Sequence, residues 1–134
     1  MDILAYDYML QGLKDYNATI EQNYGNVILK YPTKSTYPHT IFSEIRNVAN
    51  PNYNGRFEKV ASVGYSVTIY AKTKGSVDKL TIARRVSNIV DNYLDNIGLT
   101  RVSFNVLDNE EGGAICKIVM TYSGNLHENR RNLI

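Results

Sequence analysis

The chain of 134 residues is 43% hydrophobic and 21% charged, which excludes a disordered chain and leaves room for one core rather than two. Fifteen Lys and Arg against thirteen Asp and Glu give a net charge of +2, and no stretch gathers the basic residues into a nucleic-acid footprint. The single cysteine, Cys116, excludes an intramolecular disulfide, no apolar run nears the ~18 residues of a membrane helix, and the acidic start Met1-Asp2-Ile3-Leu4-Ala5-Tyr6-Asp7 is unlike a secretory signal, so a soluble cytoplasmic protein is expected.

Ile3, Tyr6, Leu10, Leu13 and Ile20, with Met9 and Tyr16 filling in, form an apolar stripe that predicts a helix from Asp2 to about Gln22, stopped by Asn23-Tyr24-Gly25-Asn26. Gly12 weakens that helix by roughly 1 kcal/mol relative to Ala. Val27 to Tyr31 and His39 to Arg46 read as strands, the second alternating Ile41, Ser43, Ile45 against Phe42, Glu44, Arg46. Asn47 to Arg56 is dense in turn residues and predicts an exposed hairpin tip. Phe57 to Lys72 alternates through Ala61, Val63, Tyr65, Val67, Ile69 and Ala71 as one long half-buried strand, whose start is expected to project with its hairpin partner as an arm spanning about residues 45–60.

Ser76 is the expected cap of a second helix with Asp78 in its first turn, a stripe of Ile82, Val86, Ile89, Tyr93 and Ile97 beside Leu80, Val90 and Leu94, and Gly98 as its stop. Thr100 to Leu107 alternates through Val102, Phe104 and Val106, Asp108-Asn109-Glu110-Glu111-Gly112-Gly113 turns the chain, and Ala114 to Tyr122 returns. Residues 123–134 read as a polar tail outside a single domain of residues 1–122. The order helix, three strands, helix, two strands predicts an α+β domain, an antiparallel-dominated sheet of about five strands with two helices on one face. Eleven Tyr and no Trp suit half-buried sheet faces and subunit interfaces, where a ring is buried and its hydroxyl stays wet.

No catalytic constellation emerges. His39 and His127 have no second His or Cys at metal-ligand spacing and read as solvated. Cys116, between Ile115 and Ile118 in a strand, reads as a buried inert thiol. Asp108, Glu110 and Glu111 lack the spaced ligands of a calcium loop and read as a solvated tip, or as an acidic projection toward a basic partner. Arg84-Arg85 and Arg130-Arg131 read as solvated faces or ion pairs rather than phosphate clamps. Tyr31, Tyr37, Tyr65 and Tyr70 fit sheet packing, without the signature of a sheet-based RNA reader. The residues free to meet a partner are those at tips and ends: Tyr53, Arg56 and Phe57 on the arm, Asp108, Glu110 and Glu111 on the second hairpin, and Leu126, Arg130, Arg131, Leu133 and Ile134 in the tail.

The element order, with Val63-Gly64-Tyr65-Ser66-Val67-Thr68-Ile69-Tyr70-Ala71 running toward Ser76 and a helix closing as Asp-x-x-Leu-x-x-x-Gly from Asp91 to Gly98, resembles the bacteriophage tail terminators and the related tail-completion, minor capsid and head-tail joining proteins. The resemblance spans nearly the whole chain and rests on length and element order. It implies a non-enzymatic virion subunit with no catalytic residue, cofactor or metal. Such a subunit forms a hexameric ring on the last ring of the tail tube, ends its polymerisation and meets the head connector. The implied partners are other copies of the chain, tail tube protein, connector protein and, as a further candidate, sheath protein. DNA would pass through the lumen without sequence-specific contacts, and assembly would occur in the host bacterial cytoplasm. The alternatives are a head-side completion protein and a small ligand- or RNA-binding domain, with an enzyme third.

Overall fold

A computed structural model describes residues 5–32, 36–49 and 60–127. In chain order these form helix α1 (Ala5–Ala18), strands β1 (Val27–Leu29), β2 (His39–Ala49) and β3 (Val60–Ala71), helix α2 (Lys79–Asn96), strand β4 (Thr100–Asn109), a single turn α3 (Glu110–Gly113) and strand β5 (Ile115–His127). The five strands lie in one sheet in the order β1-β2-β3-β5-β4. Only the β1–β2 pair is parallel. The expected α+β class and element order are what the structure shows.

Parity builds the core. The residues of β3 at odd positions, Val63, Tyr65, Val67, Ile69 and Ala71, are fully buried. Their partners on β5 are Tyr122 opposite Tyr65, Met120 opposite Val67, Ile118 opposite Ile69 and Cys116 opposite Ala71, all buried too. Facing residues of an antiparallel ladder share a side of the sheet, so these rows make one apolar surface. Thr40 and Phe42 of β2, and Phe104 and Val106 of β4, extend it. Ile82, Ala83, Val86, Val90 and Leu94 of α2, with Met9, Leu10 and Leu13 of α1, cover it. Each fully buried Val, Leu, Ile, Phe or Met among them contributes about 1.5–3 kcal/mol of burial free energy.

Several local expectations change. Helix α1 ends at Ala18, a turn before Gln22, leaving Ile20 half-buried outside it; the expected start at Asp2 to Leu4 lies outside the described residues. The physical reason is an amide cluster that competes with further helix. The Asn17 side chain donates to the Asn26 carbonyl at 2.8 Å, and Asn23 donates to the Asn17 carbonyl at 2.8 Å. Asn26 Nδ2 donates to Asn17 Oδ1 at 3.1 Å, and the Thr40 hydroxyl donates to Asn26 Oδ1 at 3.0 Å, tying the loop to β2. Asp78 rather than Ser76 caps α2, its carboxylate accepting from Leu80 N at 3.1 Å, because helical geometry starts only at Lys79. Gly98, at φ 99°, ends the helix as expected, a left-handed position that glycine adopts without a Cβ clash.

The strand expected at Val27 to Tyr31 is only Val27–Leu29, while β2 runs on to Ala49 into the expected turn region. Val102 does not join the core. It is the extra residue of a bulge between Arg101 and Ser103 and is 66% exposed. The largest revision concerns the polar tail expected from Ser123. Strand β5 continues to His127, with Ser123 opposite Gly64, Leu126 opposite Ala61 and His127 opposite Val60. These backbone groups find partners on the far end of β3, so a polar, aperiodic sequence still serves as strand. The arm is therefore three strands wide where it is described. Its expected tip, with Tyr53, Arg56 and Phe57, lies outside the described residues.

Candidate functional site

The two sides of the sheet differ. On the side away from the helices stand His39, Ile41, Ser43, Arg46 and Val48 of β2, Ser62, Gly64, Ser66, Thr68 and Tyr70 of β3, Lys117, Val119, Thr121 and Ser123 of β5, and Thr100, Ser103, Asn105 and Leu107 of β4. Small hydroxyl residues dominate this surface, and most are half-exposed. Ser103 and Thr121 hydroxyls bond each other across it at 2.6 Å. Among the described residues, no helix covers it.

One corner is filled by aromatic rings. His39 sits between Tyr37 and Tyr70, with ring centroids 5.0 and 5.1 Å away, and its Nδ1 lies 3.3 Å from the Thr36 carbonyl. The expectation of a solvated His39 is wrong: it is 5% exposed, because the two tyrosine rings close over it. Burial lowers its pKa, only partly opposed by the Thr36 hydrogen bond. Lys72 lies over the Tyr37 ring at 4.4 Å and Lys117 over the Tyr70 ring at 5.6 Å. His127, the other histidine, lies at the end of β5.

Beside this corner a groove of about 560 Å³ wraps around β2 where β1 stops. Tyr6, Lys30, Tyr31, Glu44 and Tyr70 are among its walls. Lys30 Nζ lies 5.5 Å from the Tyr6 ring centroid and 5.7 Å from that of Tyr31, and it pairs with Asp7 at 3.5 Å. The Tyr6 hydroxyl donates to the Phe42 carbonyl, and burial pushes its pKa up to about 12. Tyr65, the fourth tyrosine with an open reading, belongs to the core, stacked on Phe42 at 5.2 Å; burial first and then the Glu44 carboxylate raise its pKa.

The expected interface residues divide. Asp108 is not simply a solvated tip. Lys79 Nζ pairs with its carboxylate at 3.2 Å, and donates to its backbone carbonyl at 2.6 Å and to that of Gly113 at 2.7 Å, clamping the β4–β5 connection to the start of α2. Glu110 and Glu111 lie in α3 and Leu126 in β5. Arg130, Arg131, Leu133 and Ile134 lie outside the described residues. Arg85 donates to Gln22 at 2.9 Å, whereas Arg84 shares a hollow of about 220 Å³ with Arg101. Arg101 itself pairs with Asp91 at 3.6 Å, and Asp91 accepts the Tyr122 hydroxyl at 2.6 Å. Cys116 is buried as expected, and burial, with the Asp108 carboxylate next, pushes its thiol up to about 11.

Sequence reasoning missed the exposed apolar residues of the sheet margins. Ile45 and Val48 on β2 are 58% and 54% exposed, and Val102 and Leu107 on β4 are 66% and 39% exposed. Alternation alone placed Val102 inward, and which strands lie at the edges is not encoded in periodicity. Among the described residues, no three His, Cys, Asp or Glu side chains gather as a metal site, and no helix is long and apolar enough to cross a membrane. The chain matches no family model and no curated protein.

Proposed function

We propose that this chain is a non-enzymatic structural subunit of a bacteriophage or prophage-like tail, forming a ring that terminates the tail tube and joins it to the head connector. The observation that carries the reading is the half-covered sheet: two helices on one face, a charge-poor hydroxyl surface on the other, and exposed apolar side chains at both margins. A subunit needs two different patches to close a ring head to tail, and the two margins are such patches. The resemblance in element order to tail terminators supplies the particle. The ring count of six, the partners (tube, connector and sheath proteins), the passage of DNA through the lumen and the location at the virion neck come from that resemblance alone.

Native mass spectrometry and negative-stain imaging of the purified protein test the ring, and incubation with tail tubes of the producing particle tests its place. Discrete rings that cap tube ends are the expected result. A strict monomer that never binds tube ends overturns the reading. The groove lined by Tyr6, Lys30, Tyr31 and Tyr70 favours a second reading, a domain that binds a small aromatic ligand or single-stranded RNA by stacking. A monomer that shifts a labelled oligonucleotide in a gel, and loses the shift in Tyr31→Ala, is the outcome that reading requires.

A further inference from the structure

We infer that the free edge of β2 in one copy pairs with the free edge of β4 in the next, so that copies of the chain join head to tail through a continuous antiparallel sheet. The inference deepens the ring reading by naming its interface, and it holds for any self-assembling role.

Both edges are open among the described residues. Strand β1 pairs with β2 only from His39 to Ile41, leaving residues 42–49 without a partner on that side. Strand β4 is the last in the sheet order and has no partner on its outer side from Thr100 to Asn109. Unpaired strand edges present a row of N–H and C=O groups, and proteins that stay single blunt them with Lys and other charged side chains, Pro, bulges or inward charges. Neither stretch contains a Lys or a Pro, and the charged residues on them have partners within the chain: Arg46 donates to the Val63 carbonyl, Glu44 accepts from Asn47, Arg101 pairs with Asp91 and Asp108 with Lys79. Instead, each carries exposed apolar side chains: Ile45 and Val48 on one, Val102 and Leu107 on the other. Of the seven large apolar residues exposed among the described side chains, Tyr8 is on α1, Val27 and Tyr31 are on or just after β1, and the other four are these. The central strands β3 and β5 contribute none. All four thus stand on the two strands whose outer sides are open.

The geometry of the sheet selects another copy as the partner. From β2 through β3 and β5 to β4 there are three antiparallel steps, so β4 runs opposite to β2. A second copy in the same orientation therefore places its β2 antiparallel to this β4, with its helices on the same side. Each open edge also carries one bulge. On β2 the extra residue is Ile45, between Glu44 opposite Tyr65 and Arg46 opposite Gly64. On β4 it is Val102, between Arg101 opposite Tyr122 and Ser103 opposite Thr121. Tyr65 and Tyr122 face each other, so both bulges flank one row of the sheet and bend both edges at the same height. Free β2 lies toward the arm and β4 toward the other end, so full overlap of the two edges staggers the copies along the strands and sets their bulges apart. Closing a sheet on itself requires such a stagger. Eight paired residues would form a ladder about 27 Å long.

The test uses Val102→Lys, which blocks the β4 edge, and Ile45→Lys, which blocks the β2 edge, read by sedimentation velocity and native mass spectrometry. Each variant alone is expected to lose the oligomer. An equal mixture is expected to give a dimer and nothing larger, because the intact β2 edge of the first meets the intact β4 edge of the second. Leu107→Lys and Val48→Lys repeat the two blocks if either first variant fails to fold. The inference is overturned if wild type stays monomeric, if either blocked variant assembles as wild type does, or if Ile45→Lys alone forms a symmetric dimer through β4. Rings that survive both blocks leave the ring reading standing and remove this interface. Rings lost in both variants, in a protein that ignores tube ends, keep the interface and remove the tail reading.

Discussion

Tyr65 and Tyr70 stand five residues apart on β3, and the molecule treats them as different residues. Tyr65 is fully buried between Phe42, Tyr6 and the helices, whereas Tyr70 is half-exposed on the uncovered side, stacked on His39 with Lys117 above it. Five is odd, so the pleat sends the two side chains to opposite faces. Burial energy is concentrated on the covered side, and most of the other side stays half-exposed. The contrast also shows why the same residue type cannot be read as core or surface from composition.

Substitutions on the two sides of the sheet should differ in their effect on the monomer. Phe42→Ala removes a fully buried ring stacked on Tyr6 at 5.2 Å and on Tyr65 at 5.2 Å, and is expected to cost about 3–5 kcal/mol in denaturant unfolding. A loss below about 1 kcal/mol would mean that the covered side is not the core. Thr40→Val keeps shape but takes the hydroxyl from Asn26 Oδ1 in the buried amide cluster, with an expected cost of about 1–3 kcal/mol in the same measurement. Gly12→Ala tests the helix layer. Its Cβ would run into the Tyr93 hydroxyl, so the gain of about 1 kcal/mol in helix propensity is expected to be outweighed by overpacking. Tyr93→Phe in that background should recover part of the loss; a Gly12→Ala protein more stable than wild type would show that α1 and α2 have room to separate.

His39, like Ile41 two residues on, is buried on the uncovered side. Its folded pKa lies below its unfolded value near 6.5, so the unfolded chain binds the proton first and stability falls as pH drops through about 6.5 toward the folded pKa. Melting temperatures from pH 7.5 to 5 should decline less in His39→Gln than in wild type, and parallel profiles would refute the buried neutral imidazole. The smallest effect belongs to the centre of the uncovered face: Ser66→Ala should change monomer stability by no more than about 0.5 kcal/mol. A larger loss would mean that this face packs within the chain itself.

Periodicity carried much of the fold. The odd positions of β3 and the stripe of α2 from Ile82 to Leu94 are legible because burying one side forces a repeat of 2 or 3.6 on the residues themselves, and Gly98 is legible because few other residues tolerate φ 99°. The exposed apolar margins were not legible. Val102 looked like core because alternation continues through it, and only the bulge, set by pairing with β5, turns it out. Residues 123–127 looked like tail because a strand whose backbone is paired along β3 needs no apolar pattern of its own. His39 looked solvated because its two covering rings come from Tyr37 in the preceding loop and Tyr70 on another strand. Local sterics and apolar spacing, which act within a dozen residues, specify the elements, their order and the side most strands turn to the helices. Which strands became edges, where they bulge, and which apolar residues stayed outside were decided only by the tertiary structure, because hydrogen-bond partners across a sheet are chosen between segments far apart in the chain.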